Sequence, residues 1–454
     1  MAIYHLTATV ISRGRGQSIV AAAAYRCGAV LRDQRYGVTH NYQGKRGVVH
    51  AEIMAPSEAP EWVRNREALW NAVEAGENRK DAQLARLVEV GLPVELSVEE
   101  RIDLVRDYVA RQFVAQGMVA DFCVRGEVGN PHAHILLTLR GLTSAGFGRK
   151  RRQWNGKSML LEWRSAWANR ANDHLARAGH AVRIDHRTLE AQQIELTPGR
   201  RIGIARARRG DATLPAHLAG RIDEQRRIAN ENGSIIVEDP TVALRALTLQ
   251  RPIFTHEELT RFLRSRTGGE AQLDEALRAV VQSPDFVVLD PEAGLAGALT
   301  SRDMVEAQAS LKRRATSLAA RRGHGIDVDP PDAAGLDDGQ RRAFEYVIGE
   351  GDAKALALTE ADKEPILSAS RRAWAEAGFA VVGSEWEAAR DRLTRATVIL
   401  VDGSHGMGIK ELERVLAAAD HARAKAVLVA DSEQLRAMKA APPFQSLLRQ
   451  IGLN

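Results

Sequence analysis

The stretch "NPHAHILLTLR", residues 130–140, decides the reading of the first half of the chain. An apolar run with two histidines at its front, His132 and His134, reads as a strand. Side chains at i and i+2 of a strand point to the same face. Both imidazoles can therefore serve one metal ion. The same pair also fits a plain, hydrogen-bonded sheet face. A metal needs at least one more ligand, and the sequence offers Glu89, Glu127, His50, Glu52 and His5.

The segments around this strand extend the pattern. "VADFCVRGEVGNPHAHILLTLR" (119–140) predicts a β-hairpin turning at "RGEVGNP". "IYHLTATVIS" (3–12) alternates and is rich in β-branched residues, so it predicts a strand. A Gly-rich turn, "RGRGQS", leads into "SIVAAAAYRCGAVLRD" (18–33), a helix with Ser18 as N-cap. "GVVHAEIMAP" (47–56) is a strand ended by proline. Residues 60–90 read as a long charged helical stretch running into a strand. Ser97 and Glu100 are spaced as a capping box. Gly179 closes a helix over 158–179. Strands and helices joined by mostly antiparallel connections make an α+β layout.

With 454 residues the chain is too long for one ordinary core, so two or three domains are expected. The 44% hydrophobic and 27% charged content fits a soluble globular protein. The net charge of +5 is compatible with nucleic-acid binding. Two cysteines, Cys27 and Cys123, exclude a disulfide scaffold and a four-cysteine zinc site. They point to a reducing, cytoplasmic compartment. No apolar run of membrane-spanning length and no secretory leader are present, so no membrane insertion is expected.

Tyr25 closes the alanine run of the first helix. It reads either as a core residue with its hydroxyl at the edge, or as a nucleophile. A phenol with a pKa near 10 attacks poorly unless its target is activated. A divalent ion does this by polarising a phosphoryl oxygen. A tyrosine, a histidine-held ion and a basic chain together suggest transesterification on a DNA phosphate.

At these residues the sequence resembles a known family. "MAIYHLTATVISRGRGQSIVAAAAYRCG", "KRGVVHAEIMAP", "LWNAVEAGENRKDAQLARLVEVGLPVEL", "MVADF", "NPHAHILLTLR" and "RIDHRTLEAQQIE" resemble the MobA/MobL relaxases. More closely they resemble the N-terminal part of TraA-type conjugation relaxases. The resemblance implies an HUH-type fold and nicking at an origin of transfer. It implies a 5′-phosphotyrosine link, with Tyr25 as the nucleophile. It also implies His132 and His134 as ligands of Mg²⁺ or Mn²⁺, and Glu89 as an acid that orients a ligand histidine. Single-stranded origin DNA, accessory relaxosome proteins and a coupling protein are the partners it implies.

Two positions depart from the family pattern. Arg125 stands where the third histidine is expected, and Leu87 replaces an acid. Arginine cannot ligate a cation. Three outcomes stay open: Glu127 completes the site, metal affinity falls, or Arg125 itself neutralises the scissile phosphate. Near the site, Arg13 and Arg15, and the run Arg149, Lys150, Arg151, Arg152 to Trp154, read as phosphate contacts with a base-stacking indole, or as solvated loops.

The C-terminal third resembles a superfamily 1 helicase lobe without its nucleotide chemistry. "LDDGQRRAFEYVI" puts Gln340 on the adenine-reading glutamine. "LALTEADKEPIL" keeps Lys363 but lacks the glycines and the Ser/Thr of a P-loop. "VILVDGSHGMG" keeps Asp402, with Gly403 in place of the second acid. "VLVADSEQLRAM" keeps Asp431 and Gln434. These are vestigial nucleotide-site positions, and no ATP is expected. The expected organisation is a relaxase domain over 1–215, a helical linker region over 216–330 and a partial α/β, RecA-like lobe over 331–454. A catalytically impaired, origin-binding protein on the same scaffold is the competing reading.

Overall fold

The computed structural model describes residues 4–127, 129–143, 146–199, 216–289, 297–326, 335–437 and 443–452. Residues 200–215 lie outside them, as does the side chain of Arg152. The chain forms two compact units, Met1–His186 and Arg187–Asn454.

The first unit is α+β. Its elements in order are β1 (Leu6–Ser12), α1 (Ile19–Cys27), β2 (Val30–Asp33), β3 (Val38–Asn41), β4 (Val48–Met54), α2 (Arg66–Ala75), β5 (Gln83–Gly91), α3 (Val98–Gln112), β6 (Ala120–Arg125), β7 (His132–Thr138), β8 (Arg140–Thr143), β9 (Gly146–Lys150) and α4 (Lys157–Arg177). Five strands make an antiparallel sheet ordered β1-β5-β7-β6-β4. The histidine strand β7 is therefore central. The helical part of the 60–90 stretch is shorter than expected, only α2 with Gly76 as its C-cap, and the strand it runs into is β5.

The two faces of the sheet do different work. Val88, Val90, Phe122, Val124, Ala133, Ile135 and Leu137 point one way, into a core shared with Leu104, Tyr108, Trp163 and Trp167 of α3 and α4. The alternate residues point the other way. Leu136 and Leu87 pack there with Ile19, Val20, Ala23 and Trp70 of α1 and α2. The alanines of α1 permit this close approach, since Ala23 and Ala24 are fully buried. Ser18 caps α1 by accepting the Ala21 N–H at 3.1 Å. Gly28, at φ +63°, ends it in the left-handed conformation that glycine adopts without a Cβ clash. Tyr25 thus falls in the last turn, where the helix runs out over the sheet.

The second unit begins with α5 (Ala216–Glu238), α6 (Pro240–Gln250), α7 (His256–Arg264), α8 (Glu270–Gln282), β10 (Phe286–Val288), β11 (Leu299–Ser301) and α9 (Arg302–Ala320). After α10 (Asp338–Ile348) come β12 (Ala353–Leu358), α11 (Glu360–Glu376), β13 (Ala380–Val382), β14 (Thr397–Asp402), α12 (Ile409–Ala422), β15 (Lys425–Asp431), α13 (Ser432–Ala437) and α14 (Pro443–Ile451). Four strands form a parallel sheet ordered β12-β15-β14-β13. Its strands are continuous apolar runs, as sheets covered on both faces require. Among the described residues no helix is long and apolar enough to cross a membrane.

Candidate active site

The register assembles the site on one face. Glu89 of β5 lies opposite His134 of β7, and His134 lies opposite Cys123 of β6. One step along, Gly91, His132 and Arg125 are aligned in the same way. His5, just before β1, brings Nε2 to 3.8 Å from Glu89, whose other oxygen is 3.4 Å from His134 Nε2. The hydrogen bonds of His134 and His5 hold the Glu89 carboxyl well below the ordinary carboxylate range, against its burial.

The two histidines differ. His132 is buried, and its Nδ1 donates to the Asn130 carbonyl at 2.8 Å. That bond fixes the neutral tautomer with a lone pair on Nε2. Burial pushes the His132 pKa down, with the Asn130 bond opposing and His134 adding to the fall. Burial also disfavours the charged form of His134, but Cys123 and Glu89 outweigh it and raise that pKa. The rings sit 4.9 Å apart, edge to face.

Helix α1 and the segment before β4 close over this face. The Cys123 thiol donates to the Arg26 carbonyl at 3.1 Å, which seats the end of α1 beside His134. Tyr25 is half exposed, and Tyr42 packs edge-on at 5.3 Å. Lys45 Nζ lies 3.1 Å above the Tyr25 ring and donates to the Tyr25 carbonyl at 3.0 Å. Two residues on, Gly47 accepts the Gly126 N–H through its carbonyl at 3.0 Å. Gly47 has φ +95°, and a Cβ there would sit 3.1 Å from the Arg125 guanidinium. A short segment therefore ties Tyr25 to Arg125, the cross-strand neighbour of His132.

Arg125 is nine-tenths buried. Its Nη2 donates to the Arg46 carbonyl and to Glu127, each at 2.9 Å, and Nε also reaches Glu127. Glu127 is thus engaged by Arg125. His50 and Glu52 fall on the opposite face. His50 pairs with Val124, its ring lies 5.7 Å from Phe122, and it bonds Glu52 at 2.9 Å. Arg106 takes the other bond to Glu52, at 2.7 Å. Among the described residues no group of three His, Cys, Asp or Glu side chains is arranged to hold a metal ion. Two imidazoles and a carboxylate already bonded to one of them, flanked by a buried guanidinium, do not fit the expected divalent ion.

The expected DNA contacts divide. Arg13 turns inward and is buried. Its guanidinium pairs with Glu74 at 2.6 Å and donates to the carbonyls of Glu74, Glu77 and Arg79. Trp154 is also buried, in the core beneath α4, so its indole is not available to stack on a base. Arg15, Arg149 and Arg151 are exposed. Lys150 pairs with Glu77 at 3.2 Å. Lys45, Arg26 and Cys123 were not singled out from sequence. Only the "KRG" at 45–47, a basic pair before a glycine, hints at the first of them.

In the parallel sheet, Thr359 caps α11 immediately after β12 ends at Leu358. Where a P-loop would wrap phosphates, Asp362 accepts from the Thr359 hydroxyl at 2.5 Å and from Gln340 at 3.0 Å. Lys363 pairs with Glu360 and Asp402 at 3.0 and 3.3 Å. The Gln434 N–H donates to Asp431 at 2.9 Å, closing the first turn of α13.

An antiparallel sheet carrying a histidine pair on its central strand, with a tyrosine helix laid across it, is the arrangement expected of an HUH-type fold. Residues 17–210 match the MobA/MobL family, and residues 384–452 match a family described as AAA domain. The probable conjugal transfer protein TraA of Sinorhizobium fredii is 32% identical, covering 100% of this chain and 48% of that protein. The mobilization protein MobL of Acidithiobacillus ferridurans is 35% identical, covering 46% of this chain and 63% of that protein. The chain spans about half the length of the TraA relatives it matches. Among solved structures, one concerned with vancomycin-resistance transfer in Staphylococcus aureus is 35% identical, with a TM-score of 0.40. It covers 41% of this chain and 100% of that one. The TrwC relaxase complexed with a 27-mer DNA is 11% identical, with a TM-score of 0.24, covering 61% and 97%.

Proposed function

We propose that this chain nicks one strand of DNA at an origin of transfer, with Tyr25 as the nucleophile. The observation that carries this reading is the seating of Tyr25, through Lys45 and Arg125, at the edge of the face that holds His132, His134 and Glu89. The Tyr25 Oη–P bond forms and the P–O3′ bond breaks, leaving a 5′-phosphotyrosine and a free 3′-hydroxyl. The half-exposed phenol loses its proton to solvent, and the departing 3′-oxygen gains one. Arg15, Arg149 and Arg151 are the exposed cations this reading assigns to the DNA backbone. Accessory relaxosome proteins and a coupling protein are the partners it implies. ATP turnover is not assigned to the C-terminal lobe, because Asp362 and Glu360 crowd the place of the nucleotide phosphates with negative charge. No step is routed through Mg²⁺ or Mn²⁺, since the side chains around His132 and His134 do not fit one.

The test uses single-stranded DNA tiled across the region flanking the gene. One tile is expected to give a covalent protein–DNA band on a denaturing gel, and Tyr25→Phe is expected to remove it. If strand cleavage survives Tyr25→Phe at an unchanged rate, the tyrosine mechanism is wrong. Tight, salt-sensitive binding of one tile without any covalent band would support the second reading, an origin-binding protein without catalysis. The arginine in the place of a third histidine is the observation that favours it.

A further inference from the structure

We propose that Arg125 and Lys45 form an anion site for the scissile phosphodiester, so that two cations of the chain do the work expected of a divalent ion. This rests on the nicking reading above and names how its substrate is held.

Three observations carry it. Arg125 Nη1 is buried and makes no hydrogen bond, while Nε and Nη2 are both engaged by Glu127 and the Arg46 carbonyl. A buried guanidinium nitrogen left without an acceptor is stabilised by an anion that reaches it. Second, the Lys45 ammonium lies close enough to feel that charge. Burial lowers its pKa first, and repulsion by Arg125 adds to the fall. Two cations held together, with one carboxylate already bonded to the first, leave a net positive charge that a phosphodiester cancels. Third, the same Lys45 touches the Tyr25 ring, and Arg125 is the cross-strand neighbour of His132. The anion site therefore adjoins both the nucleophile and the free Nε2 side of a neutral imidazole.

The chemistry needs no further reactant. As the Tyr25 Oη–P bond forms and P–O3′ lengthens, negative charge grows on the two non-bridging oxygens. Cations beside those oxygens stabilise the transition state more than the ground state. Lys45, held at the Tyr25 carbonyl and ring, has a flexible stem with which it moves to admit the phosphate.

The experiment uses the full chain and the DNA tile identified above. Covalent complex formation is followed with chelator and with added Mn²⁺, for the wild type, Arg125→Gln, Arg125→Lys and Lys45→Met. The wild type is expected to react equally in chelator. Arg125→Gln is expected to lose about a hundredfold, with no rescue by Mn²⁺. Arg125→Lys, which keeps the charge without the fork, is expected to lose about tenfold. Loss of the wild-type band in chelator, restored by Mn²⁺, overturns the proposal while leaving the nicking reading intact. If the wild type gives no covalent band under any condition, the nicking reading fails. Thermal stability in inorganic phosphate against chloride of equal ionic strength then decides the anion site. A phosphate-specific rise present in the wild type and absent from Arg125→Lys and Lys45→Met supports it, and an equal rise in all three overturns it. Circular dichroism of each variant separates a lost site from a lost fold.

Discussion

Glu89 reaches His134 and His5, and neither bond requires it to touch DNA. We propose that it acts as a positioning residue, holding the one imidazole of the pair whose charged form its surroundings favour. Glu89→Ala is expected to slow covalent complex formation ten- to hundredfold, the usual range for losing a carboxylate that orients an active-site histidine. The tile's dissociation constant should stay within about twofold, and Glu89→Gln should recover part of the rate by keeping an acceptor. A matching loss of DNA affinity would mean instead that Glu89 shapes the binding surface. At this scale the sequence was legible where chemistry repeats locally. The i, i+2 spacing put His132 and His134 on one face, and Ser18 capped the alanine helix that carries Tyr25, although that helix stops at Cys27 and residues 30–33 form β2 rather than its continuation to 33. It was not legible for Arg13 and Trp154. "RGRGQ" has the composition of an exposed turn, but the carbonyls that bury Arg13 belong to residues 74–79, and no local pattern announces them.

Helix α3 shows how well a cap can be read and how little it says about the site. Ser97 accepts the Glu100 N–H at 3.2 Å, and Glu100 accepts the Ser97 N–H at 2.8 Å, which makes the expected capping box. Ser97→Ala leaves the Glu100 N–H without its side-chain acceptor and is expected to cost about 1 kcal/mol of stability, measured by chemical denaturation. Covalent complex formation should not change, because α3 packs on the sheet face away from His132 and His134. A lost activity at unchanged stability would mean that α3 contributes to the site directly. Strand order was the part that could not be read. The β6–β7 hairpin followed from its turn residues, but β5 sits on the other side of β7, brought there by pairings more than forty residues apart. Only that insertion places Glu89 against His134. The break at Gly76 was missed for a related reason. The charged pattern of 60–90 runs on past the helix, and tertiary pairing decides where the strand begins.

Across the whole molecule, the alternation of short apolar runs with helices foretold the parallel sheet of the second unit, and "TEADKEP" foretold acids at its phosphate end. What composition hid is a lysine in that sheet's core. Lys425 opens β15 with its side chain fully buried and donates to the Gly349 carbonyl at 2.6 Å. Burial, with repulsion from Lys354, pushes its ammonium down from 10.5 to about 7, although Asp352 and Glu350 oppose the fall. The folded pKa lies below the unfolded one, so between about 7 and 10.5 the unfolded chain binds more protons. Stability of this unit therefore rises as pH climbs through that window, and the penalty of the buried charge is fully present below it. Replacing a buried charge by an apolar side chain of similar length stabilises a fold by about 2 kcal/mol where the charge is unpaired. Lys425→Met is accordingly expected to raise the melting temperature of the second unit at pH 6 and to lose that advantage as pH approaches 10. Calorimetry at both pH values resolves the unit's transition from that of the first unit, since two units need not unfold together. An advantage of equal size at both pH values would trace the gain to packing alone and assign no cost to the ammonium.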